Sequence, residues 1–354
     1  MMKVYVAIGE VSPHLSPNPF VLTLTDGISN KHSDIHFFFG QSFFYEEECL
    51  QMDIVHIMWP HGLIFGNFLP VDLAKRLKEI KDRGVKIIAT CHNIEPHYCS
   101  EEKYLEAYKI VYQACDTIVH LGDYSKSLFE RLYPPVRHVL IPHHVYDSIY
   151  TQLPSKAESA LRLCLQSDKK YILCFGAFRN REEKQMIRVL GKKYRNSDVY
   201  ILVPNYTSFL FDVKHPLKSV KSLLKKMYLR LFFHIICIGR YISNEEVPYY
   251  YGASDICLIQ RLKILNSGNV PLAFFMGKVV VGPNQGNVYT ILKKTGNPIF
   301  LTEDLTSIFT ACSKGLELSK DGFGDLNRKY AIAELNTACI SEKYYTVYQE
   351  VLKR

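Results

Sequence analysis

The sequence predicts two doubly wound α/β domains in tandem, followed by a helical tail. Short runs of β-branched and aromatic residues alternate with segments of helical period, and this alternation begins again after residue 150. Strands that alternate with helices form parallel βαβ units with right-handed crossovers. We therefore predict an N-terminal Rossmann-like domain at 1–150, a second one at 151–324, and a helical tail at 325–354 that packs back toward the first domain.

The first half contains six candidate strands and two clear candidate helices. The helix at 71–83 carries Leu73, Leu77 and Ile80 at helical spacing and stops at Gly84. The second helix is predicted at 101–114. The strands are predicted at 3–8, 34–40, 53–59, 86–92, 117–122 and 138–143.

The second half repeats the pattern after a connector with a short helix at 152–170. Ligands of such doubly wound sheets bind outside the carboxyl ends of the strands, so we expect a site in a cleft between two such domains. The strands are predicted at 171–176, 199–204, 234–239, 255–259, 278–282 and 298–301, and the helices at 182–195, 216–230, 245–252, 270–277, 286–294 and most of 325–352.

Composition indicates a globular protein without a disulfide framework. Hydrophobic residues make up 47% and charged residues 22% of the 354 residues. The ten cysteines show no C-x-x-C spacing, and several lie in apolar runs, which is typical of buried reduced thiols. The sequence lacks a signal-peptide pattern and an 18-residue apolar run. We expect a cytoplasmic protein, with the inner face of the cell membrane as an alternative.

Positive charge is concentrated in the middle of the chain. Residues 151–240 contain 18 Lys and Arg against 6 Asp and Glu, whereas residues 1–150 contain 13 against 18. Such a basic segment indicates either an anionic ligand or surface, or a solvated basic face.

A polar stretch between a predicted strand and a predicted helix is the first candidate site. Ser267 and Asn269 are residue types that cap helices, and Gly268 allows close approach of the backbone. Pro271 is tolerated near a helix start. The stretch predicts either a phosphate site at the start of a helix or an ordinary cap without a ligand.

A basic loop after the first strand of the second half is the next candidate. The strand ends at Gly176, and Arg179, Arg181 and Lys184 follow. Two or three cations at the carboxyl end of a strand could bind a diphosphate. The alternative is a surface loop in which Arg181 pairs with Glu182 or Glu183.

Polar residues at the end of a strand in the first half form a further candidate. The segment "TCHNIEPH" contains His92 and Asn93, followed by Glu95 and His97. His92 could bind a sugar hydroxyl, and Glu95 or His97 could act as acid or base near neutral pH. The alternative is local turn chemistry.

Aromatic and histidine residues end two other strands of the first half. Trp59, with His61 behind it, could stack on a sugar, although packing is an equal alternative. His143 could line the acceptor side or cap its strand. In the second half, the loop after 234–239 could hold a nucleotide base near Tyr241 and Ile242.

The segment 213–233 predicts a basic amphipathic helix. Its apolar residues could cover the sheet of its own domain, or the helix could contact an anionic membrane as a peripheral protein. One face carries Leu217, Val220, Leu223, Leu224 and Met227, with Lys218, Lys221, Lys225 and Lys226 off that face.

Taken together, these segments resemble a GT-B glycosyltransferase, close to the family-four enzymes that build bacterial polysaccharides. The resemblance covers nearly the whole chain and rests on the order and spacing of several motifs. The matching segments are "NPFVLTLTDGI", "DIVHIMWPHG", "TCHNIEPH", "GAFRNREEK", "VPYYYGASDICLI" and "ILNSGNVPLAFFMGKVVVG".

The resemblance implies that the second domain binds a nucleotide donor and the first domain binds an acceptor. Arg179 and Lys184 would neutralise the diphosphate, and His92 would contact the transferred sugar. The remaining implied contacts are Gly176, Ser267, Gly268 and Asn269 at the diphosphate, Tyr241 and Ile242 at the base, and Trp59, His61, Asn93 and His143 on the acceptor side.

The sequence departs from the family at two positions. Many family-four enzymes carry two glutamates eight positions apart, and alignment on Gly277 and Lys278 puts those positions at Ile264 and Leu272. Contacts that these acids make elsewhere are therefore not assigned here, and Glu95 and His97 are the candidate bases.

The function implied is transfer of a sugar from a UDP- or GDP-linked donor to a glycan or lipid-linked acceptor, in exopolysaccharide or capsule biosynthesis. The resemblance implies no metal, no cofactor besides the donor substrate and no nucleic-acid partner. Two alternatives remain open: a sugar-nucleotide epimerase on the same fold, and a GT-B-like binding subunit without catalysis.

Overall fold

The chain folds into two compact units. The computed structural model describes residues 1–9, 18–96, 101–206, 216–240 and 242–354. The first unit comprises Met1–Tyr146 together with Glu334–Arg354, and the second comprises Asp147–Ala333.

The first unit is built on a parallel sheet of six strands, which confirms the six strands predicted for this half. Its strand order is β2-β1-β3-β4-β5-β6, and every pair in it is parallel. Nearly all residues of β1, β3, β4 and β5 are buried on both faces of the sheet, as expected for a parallel sheet covered on both faces. The strands are β1 (Met2–Ala7), β2 (Ile35–Gly40), β3 (Ile54–Ile57), β4 (Lys86–Cys91), β5 (Thr117–His120) and β6 (Arg137–Leu140).

Helices cover this sheet, and the last helix of the chain belongs to them. The final helix, α13 (Thr337–Leu352), packs against α1 (Phe20–Ser29). The helices α1 and α4 had no counterpart among the predicted helices. The others are α2 (Pro70–Asp82), α3 (Glu102–Ala114) and α4 (Asp123–Leu132), with short 3₁₀ turns at Ser42–Tyr45, Glu47–Gln51 and Pro60–Leu63.

A buried polar network joins α13 to the centre of the first sheet. His56 on β3 lies 2.7 Å from the Tyr348 hydroxyl through Nδ1 and 2.8 Å from Thr90 Oγ1 through Nε2. Tyr344 reaches the same threonine hydroxyl at 3.2 Å. Burial lowers the pKa of His56 to about 3, so the imidazole is neutral and can share its two nitrogens between donor and acceptor roles.

This network predicts an acid-sensitive first unit. In the unfolded chain His56 takes up a proton below about pH 6.5, whereas in the folded chain it stays neutral down to about pH 3. The free energy of unfolding should therefore be undiminished above pH 6.5 and fall by about 1.4 kcal/mol per pH unit below it, from this residue alone.

The measurement is urea unfolding across pH 4 to 7, followed by Trp59 fluorescence. Trp59 is the only tryptophan of the sequence and lies in the first unit. His56→Gln should be less stable at pH 7 and should show a shallower loss toward pH 4 than the wild type. Equal slopes for the two proteins would contradict the assignment.

The second unit is built on another parallel sheet of six strands, and all six were predicted. Its order is β12-β11-β10-β7-β8-β9. Buried side chains of these strands and of the flanking helices, among them Ile172, Leu258 and Val281, form its core. The strands are β7 (Lys170–Leu173), β8 (Val199–Leu202), β9 (Ile235–Ile236), β10 (Ile256–Leu258), β11 (Val279–Pro283) and β12 (Ile299–Phe300).

The helices of the second unit also follow the predictions closely, with one addition. Helix α11 was not predicted, and it packs against β10, β11 and β12. The helices are α5 (Lys156–Arg162), α6 (Arg181–Tyr194), α7 (Pro216–Phe233), α8 (Val247–Ala253), α9 (Asn269–Phe275), α10 (Gly286–Lys294), α11 (Ser307–Lys320) and α12 (Phe323–Glu334).

The structure contradicts one of the two expectations for α7, namely that its apolar residues cover the sheet of its own domain. The apolar face read from the sequence does not cover the sheet, because Leu217, Val220, Leu223, Leu224 and Met227 are all exposed. The side that packs inward instead carries Leu229 and Phe233, so the helical period was read correctly and the buried side was not. In the part of the chain that the structure describes, no helix is both long and apolar enough to span a membrane.

Candidate functional site

The second sheet has a topological switch point between β7 and β10. From β7 the chain goes to β8 and β9 on one side of the sheet and then to β10 on the other. The loops that leave β7 and β10 therefore separate at their carboxyl ends, where doubly wound sheets bind ligands. A pocket of about 190 Å³ lies between these two loops, and it is lined by Phe175, Gly176, Arg179, Ile259, Gln260, Arg261, Ile264, Asn266, Ser267, Gly268 and Asn269.

The two loops are tied together by Asn269. Its side-chain amide donates a hydrogen bond of 2.7 Å to the carbonyl oxygen of Phe175. The next residue, Gly176, has a φ of +104°, which side chains other than glycine rarely adopt. Gln260 Nε2 approaches the Gly176 carbonyl oxygen at 3.5 Å. The side-chain amides of Asn269 and Gln260, both after β10, therefore contact the backbone where the chain turns after β7.

A buried carboxylate positions two arginine residues at this pocket. Glu183 is 1% exposed, and its Oε2 accepts hydrogen bonds from the backbone N–H of Arg179 at 2.8 Å and from the Arg261 guanidinium at 2.9 Å. The Arg179 guanidinium donates to the carbonyl oxygen of Lys263 at 3.1 Å. Glu183 also lies in the first turn of α6, where the helix dipole favours a negative charge.

Residues at the start of α10 bind the loop before α9. Asn287 donates its backbone N–H to the Leu265 carbonyl oxygen at 2.8 Å and its side-chain amide to Asn266 Oδ1 at 2.7 Å. Gly286 has a φ of +55°, and a Cβ there would lie 2.4 Å from the Ile264 carbonyl oxygen. The backbone of the loop before α9 therefore lies in close contact with the backbone of Gly286.

The lining favours an anionic ligand. It contains two arginines, two asparagines, a glutamine and a serine, and none of its residues is an acid. Guanidinium groups bind phosphate oxygens through paired, charge-assisted hydrogen bonds. Because Glu183 lies behind the lining, it orients Arg261 while leaving the lining itself positive.

The structure brings together five of the predicted donor residues. Gly176, Arg179, Ser267, Gly268 and Asn269 all line the pocket. The cap interpretation was wrong in detail, because Gly268 occupies the N-cap position with ordinary helical angles and no side chain caps α9.

The other predicted donor residues lie elsewhere. Lys184 is not in the lining; its ammonium lies 5.9 Å from the centre of the Tyr206 ring. Ile242 is buried and also outside the lining. Tyr241 lies outside the described residues. The surface ion pair considered for Arg181 is replaced by the pair between Glu183 and Arg261.

The two positions without the expected glutamates have different surroundings. Ile264 lines the pocket, so an apolar side chain stands there. Leu272 is buried in α9.

Sequence reasoning missed two residues of this site. Arg261 lies three residues after the end of the buried strand β10, and a cation soon after a strand end is the signal that identified Arg179 after β7. Glu183 was considered, as an alternative to Glu182, as a surface partner of Arg181. Its burial depends on which side of α6 packs inward, and the sequence did not indicate that side.

In the first unit, the predicted residues His92 and His143 contact Phe20, and the predicted residue Trp59 contacts His92. The His92 ring stacks on Trp59 with centroids 4.8 Å apart and meets the Phe20 edge at 4.5 Å. His143 also meets Phe20, at 4.9 Å. Burial lowers the pKa of His143, so its ring is neutral near pH 7 and can exchange hydrogen bonds without carrying charge.

The remaining predicted residues of the first unit have separate positions. His61 Nδ1 lies 2.8 Å from the Tyr108 hydroxyl, and burial lowers the pKa of this histidine. Asn93 is buried, and its carbonyl oxygen accepts a hydrogen bond of 2.6 Å from Tyr112. Glu95 is exposed, and His97 lies outside the described residues.

Every cysteine that the structure describes is a free thiol. Within the described ranges, no group of three or more His, Cys, Asp or Glu side chains is arranged to hold a metal ion.

Comparison with known proteins shows similarity of structure without similarity of sequence. No family model matches the sequence, and no curated protein matches it. The structure is similar to sucrose-phosphate synthase from Thermosynechococcus elongatus, with a TM-score of 0.73, 12% identity and full coverage of both chains.

Two further solved structures show the same likeness. A glycosyltransferase from Rickettsia africae gives a TM-score of 0.70 at 13% identity, covering 100% of this chain and 99% of the other. HepE from Anabaena, in complex with UDP, gives 0.67 at 13% identity, covering 99% and 100%. The chain therefore has the predicted GT-B fold, with two Rossmann-like sheets and a C-terminal helix.

Proposed function

We propose that this protein is a glycosyltransferase that uses a nucleoside-diphosphate sugar as donor. The observation that carries the proposal is the arginine-lined pocket at the switch point of the second sheet, formed by Arg179, Arg261 and the amide of Asn269. Proteins of the same fold have been solved with UDP, UDP-glucose and ADP, which supports a nucleotide as the ligand of this pocket.

The pocket would act on the leaving group of the transfer. As the bond between the sugar carbon and the diphosphate oxygen breaks, negative charge grows on that oxygen. The Arg261 guanidinium, held by Glu183, and the Arg179 guanidinium, held by the Lys263 carbonyl oxygen, would stabilise this charge without reorganisation. The pocket is smaller than the roughly 300–1,000 Å³ of sites that enclose a whole ligand, so we assign it to the diphosphate and leave the base to the segment of Tyr241 and Ile242.

The first unit is assigned to the acceptor. The ring cluster of Trp59, His92 and His143 offers flat apolar faces beside imidazole nitrogens, a combination that suits a sugar ring and its hydroxyls. Glu95 and His97 remain the candidate bases that would accept the proton of the acceptor hydroxyl. Asn93 and His61 stay predicted acceptor-side residues.

The finer assignment rests on the resemblance in the sequence. Membership of family four, action in exopolysaccharide or capsule biosynthesis, a lipid-linked or oligosaccharide acceptor and a cytoplasmic location are proposed on that basis. Among UDP and GDP donors, the UDP complexes of HepE favour UDP as the first nucleotide to test.

Calorimetry with UDP, GDP and ADP tests the donor pocket. We expect Arg179→Ala to weaken binding of the preferred nucleotide roughly 10- to 100-fold, the size of effect for a hydrogen bond to a charged group. Lys184→Ala, which alters a residue outside the lining, should weaken it less. Arg181 is exposed at the start of α6, just after the loop, and lies outside the lining, so Arg181→Ala is the matched control and should bind as the wild type does.

Two results would contradict the proposal. The first is that none of the three nucleotides binds. The second is that Arg181→Ala weakens binding as much as Arg179→Ala, because the effect would then reflect general charge and not the pocket.

A binding subunit without catalysis is the second candidate. The apolar Ile264 in the pocket and Leu272 in α9, at positions where acids are expected, favour it. Slow hydrolysis of a bound nucleotide sugar in the absence of acceptor would decide for the transferase, whereas tight binding without any turnover would decide for the binding subunit.

A further inference from the structure

Helix α7 presents an apolar surface that no described part of its own unit covers. Leu217, Leu224 and Leu231 are 84%, 60% and 68% exposed. Large side chains on neighbouring turns extend the surface. We call this surface the outer face of α7, and it consists of Leu217, Val220, Leu223, Leu224, Met227, Tyr228 and Leu231.

The inner side of the same helix already makes the contacts that the core requires. Leu229 is buried in the core of the second unit, and Ser219 is buried as well. The Lys226 ammonium donates to the carbonyl oxygen of Ile238. Since α7 is anchored by that side, the outer face is not needed to hold the helix on the sheet.

A run of exposed apolar side chains of this size is unusual on a protein surface. Single exposed leucines need no explanation, whereas a contiguous apolar patch marks a surface that binds something. At 100° per residue, the members of the outer face form one stripe along the helix.

Cationic side chains border that stripe. Lys221 and Lys225 are exposed and follow one edge, on successive turns beside Leu224 and Tyr228. Arg230 is exposed beyond the opposite edge, next to Met227 and Leu223 on the wheel. Among the described residues, no carboxylate forms an ion pair with Lys221 or Lys225. An apolar stripe between two cationic edges is the pattern of helices that lie in a bilayer interface.

The charge of the surroundings agrees with an anionic partner surface. Residues 151–240, which include α7, carry 18 Lys and Arg against 6 Asp and Glu. A second copy of this chain fits less well, because a two-fold contact through the outer face would bring the lysines of each copy near those of the other. Lysines at an anionic lipid surface instead gain attraction while leucines leave water.

We propose that the outer face of α7 docks on a bilayer that contains anionic lipids. The stripe enters the headgroup boundary with the helix parallel to the membrane plane, and Lys221, Lys225 and Arg230 contact headgroup phosphates. This surface is distinct from the nucleotide pocket, and it gives the enzyme a location at a lipid surface independently of what it transfers.

Vesicle co-sedimentation of the full chain tests the proposal. The vesicles are phosphatidylcholine alone and phosphatidylcholine mixed with phosphatidylglycerol. We expect binding to the mixed vesicles, weak binding to the neutral ones, and a loss of binding as salt is added. Lys221→Glu with Lys225→Glu should weaken binding to the mixed vesicles at least 25-fold, from a factor of about five for each lysine removed.

The apolar part is tested by Leu224→Glu with Leu231→Glu, which should reduce binding to both kinds of vesicle at least tenfold. The matched control is Leu161→Glu with Leu326→Glu, because those leucines are 82% and 56% exposed on α5 and α12. All four leucines are exposed, so circular dichroism and thermal melting should show every variant folded. Calorimetry with UDP on the same variants should give the wild-type affinity, which separates this proposal from the donor pocket.

Three outcomes would overturn the proposal. One is a folded wild-type protein that binds neither kind of vesicle. Another is binding that the control pair weakens as much as the α7 pair. The third is self-association of the wild type in sedimentation that the α7 pair abolishes, because the face would then join two copies.

Discussion

Gly286→Ala is expected to destabilise the second unit by about 3 kcal/mol or more and to abolish nucleotide binding. The residue has a φ of +55°, and an added Cβ would lie 2.4 Å from the Ile264 carbonyl oxygen and 2.8 Å from the Leu265 Cα. Backbone atoms cannot move aside as a side-chain end can, so overpacking adds to the cost of the left-handed conformation. Because Ile264 lines the pocket, any relaxation would displace the loop that carries Ser267 and Asn269.

The control for this variant is Gly66→Ala. Gly66 has the same φ of +55°, but an added Cβ would meet nothing within 4 Å. That variant should therefore cost only the conformational strain, about 1 kcal/mol. Thermal melting and calorimetry with UDP provide the two measurements. If both variants lose the same stability and both bind UDP, the close contact at Gly286 is not what holds the loop.

Glu183→Ala is expected to cost about 3–5 kcal/mol of the free energy of unfolding. The carboxylate is 1% exposed and holds the Arg261 guanidinium and the Arg179 backbone N–H. Removing it leaves a largely buried guanidinium without its counter-charge, which is the costly way to break a buried ion pair. Nucleotide binding should weaken as well, because Arg261 loses the group that orients it.

Glu182→Ala is the matched control, since Glu182 precedes Glu183 on the same helix turn and is exposed. Its effect should stay within about 0.5 kcal/mol. Urea unfolding followed by circular dichroism measures both variants. A loss for Glu183→Ala no larger than that for Glu182→Ala would mean that Arg261 finds another partner and that the pair does not organise the pocket.

Most of the fold could be predicted from the sequence, because strand and helix periods alternate so regularly. All twelve predicted strands are present, from β1 to β12. Helices α1, α4 and α11 were not predicted, although buried residues recur at helical spacing in α1 and α11, as Ile308, Ala311 and Cys312 do in α11. The expectation that the apolar residues of α7 cover the sheet was wrong. Apolar periodicity shows that a helix has an apolar face, but it does not show what that face packs against.

The candidate site could be predicted only where residues are close in the sequence to a strand end. Gly176 and Arg179 follow β7, and Ser267, Gly268 and Asn269 follow β10, so the topology alone brings them together. The pairing of Glu183 with Arg261 joins residues 78 positions apart. Such a pair depends on how α6 packs against the β10 loop, and no local pattern in the sequence reports that.

The membership of α13 in the first unit has a consequence for the order of folding. The chain leaves that unit at Tyr146, builds the whole of Asp147–Ala333, and returns with Glu334–Arg354. During synthesis the second unit can therefore complete its contacts while the first still lacks a helix. Until α13 emerges, His56 and Thr90 have no tyrosine hydroxyls to pair with. Although most of the first unit precedes the second in the sequence, the first unit is thus the later of the two to be completed. Until then, the polar side chains of its central strands are exposed to water.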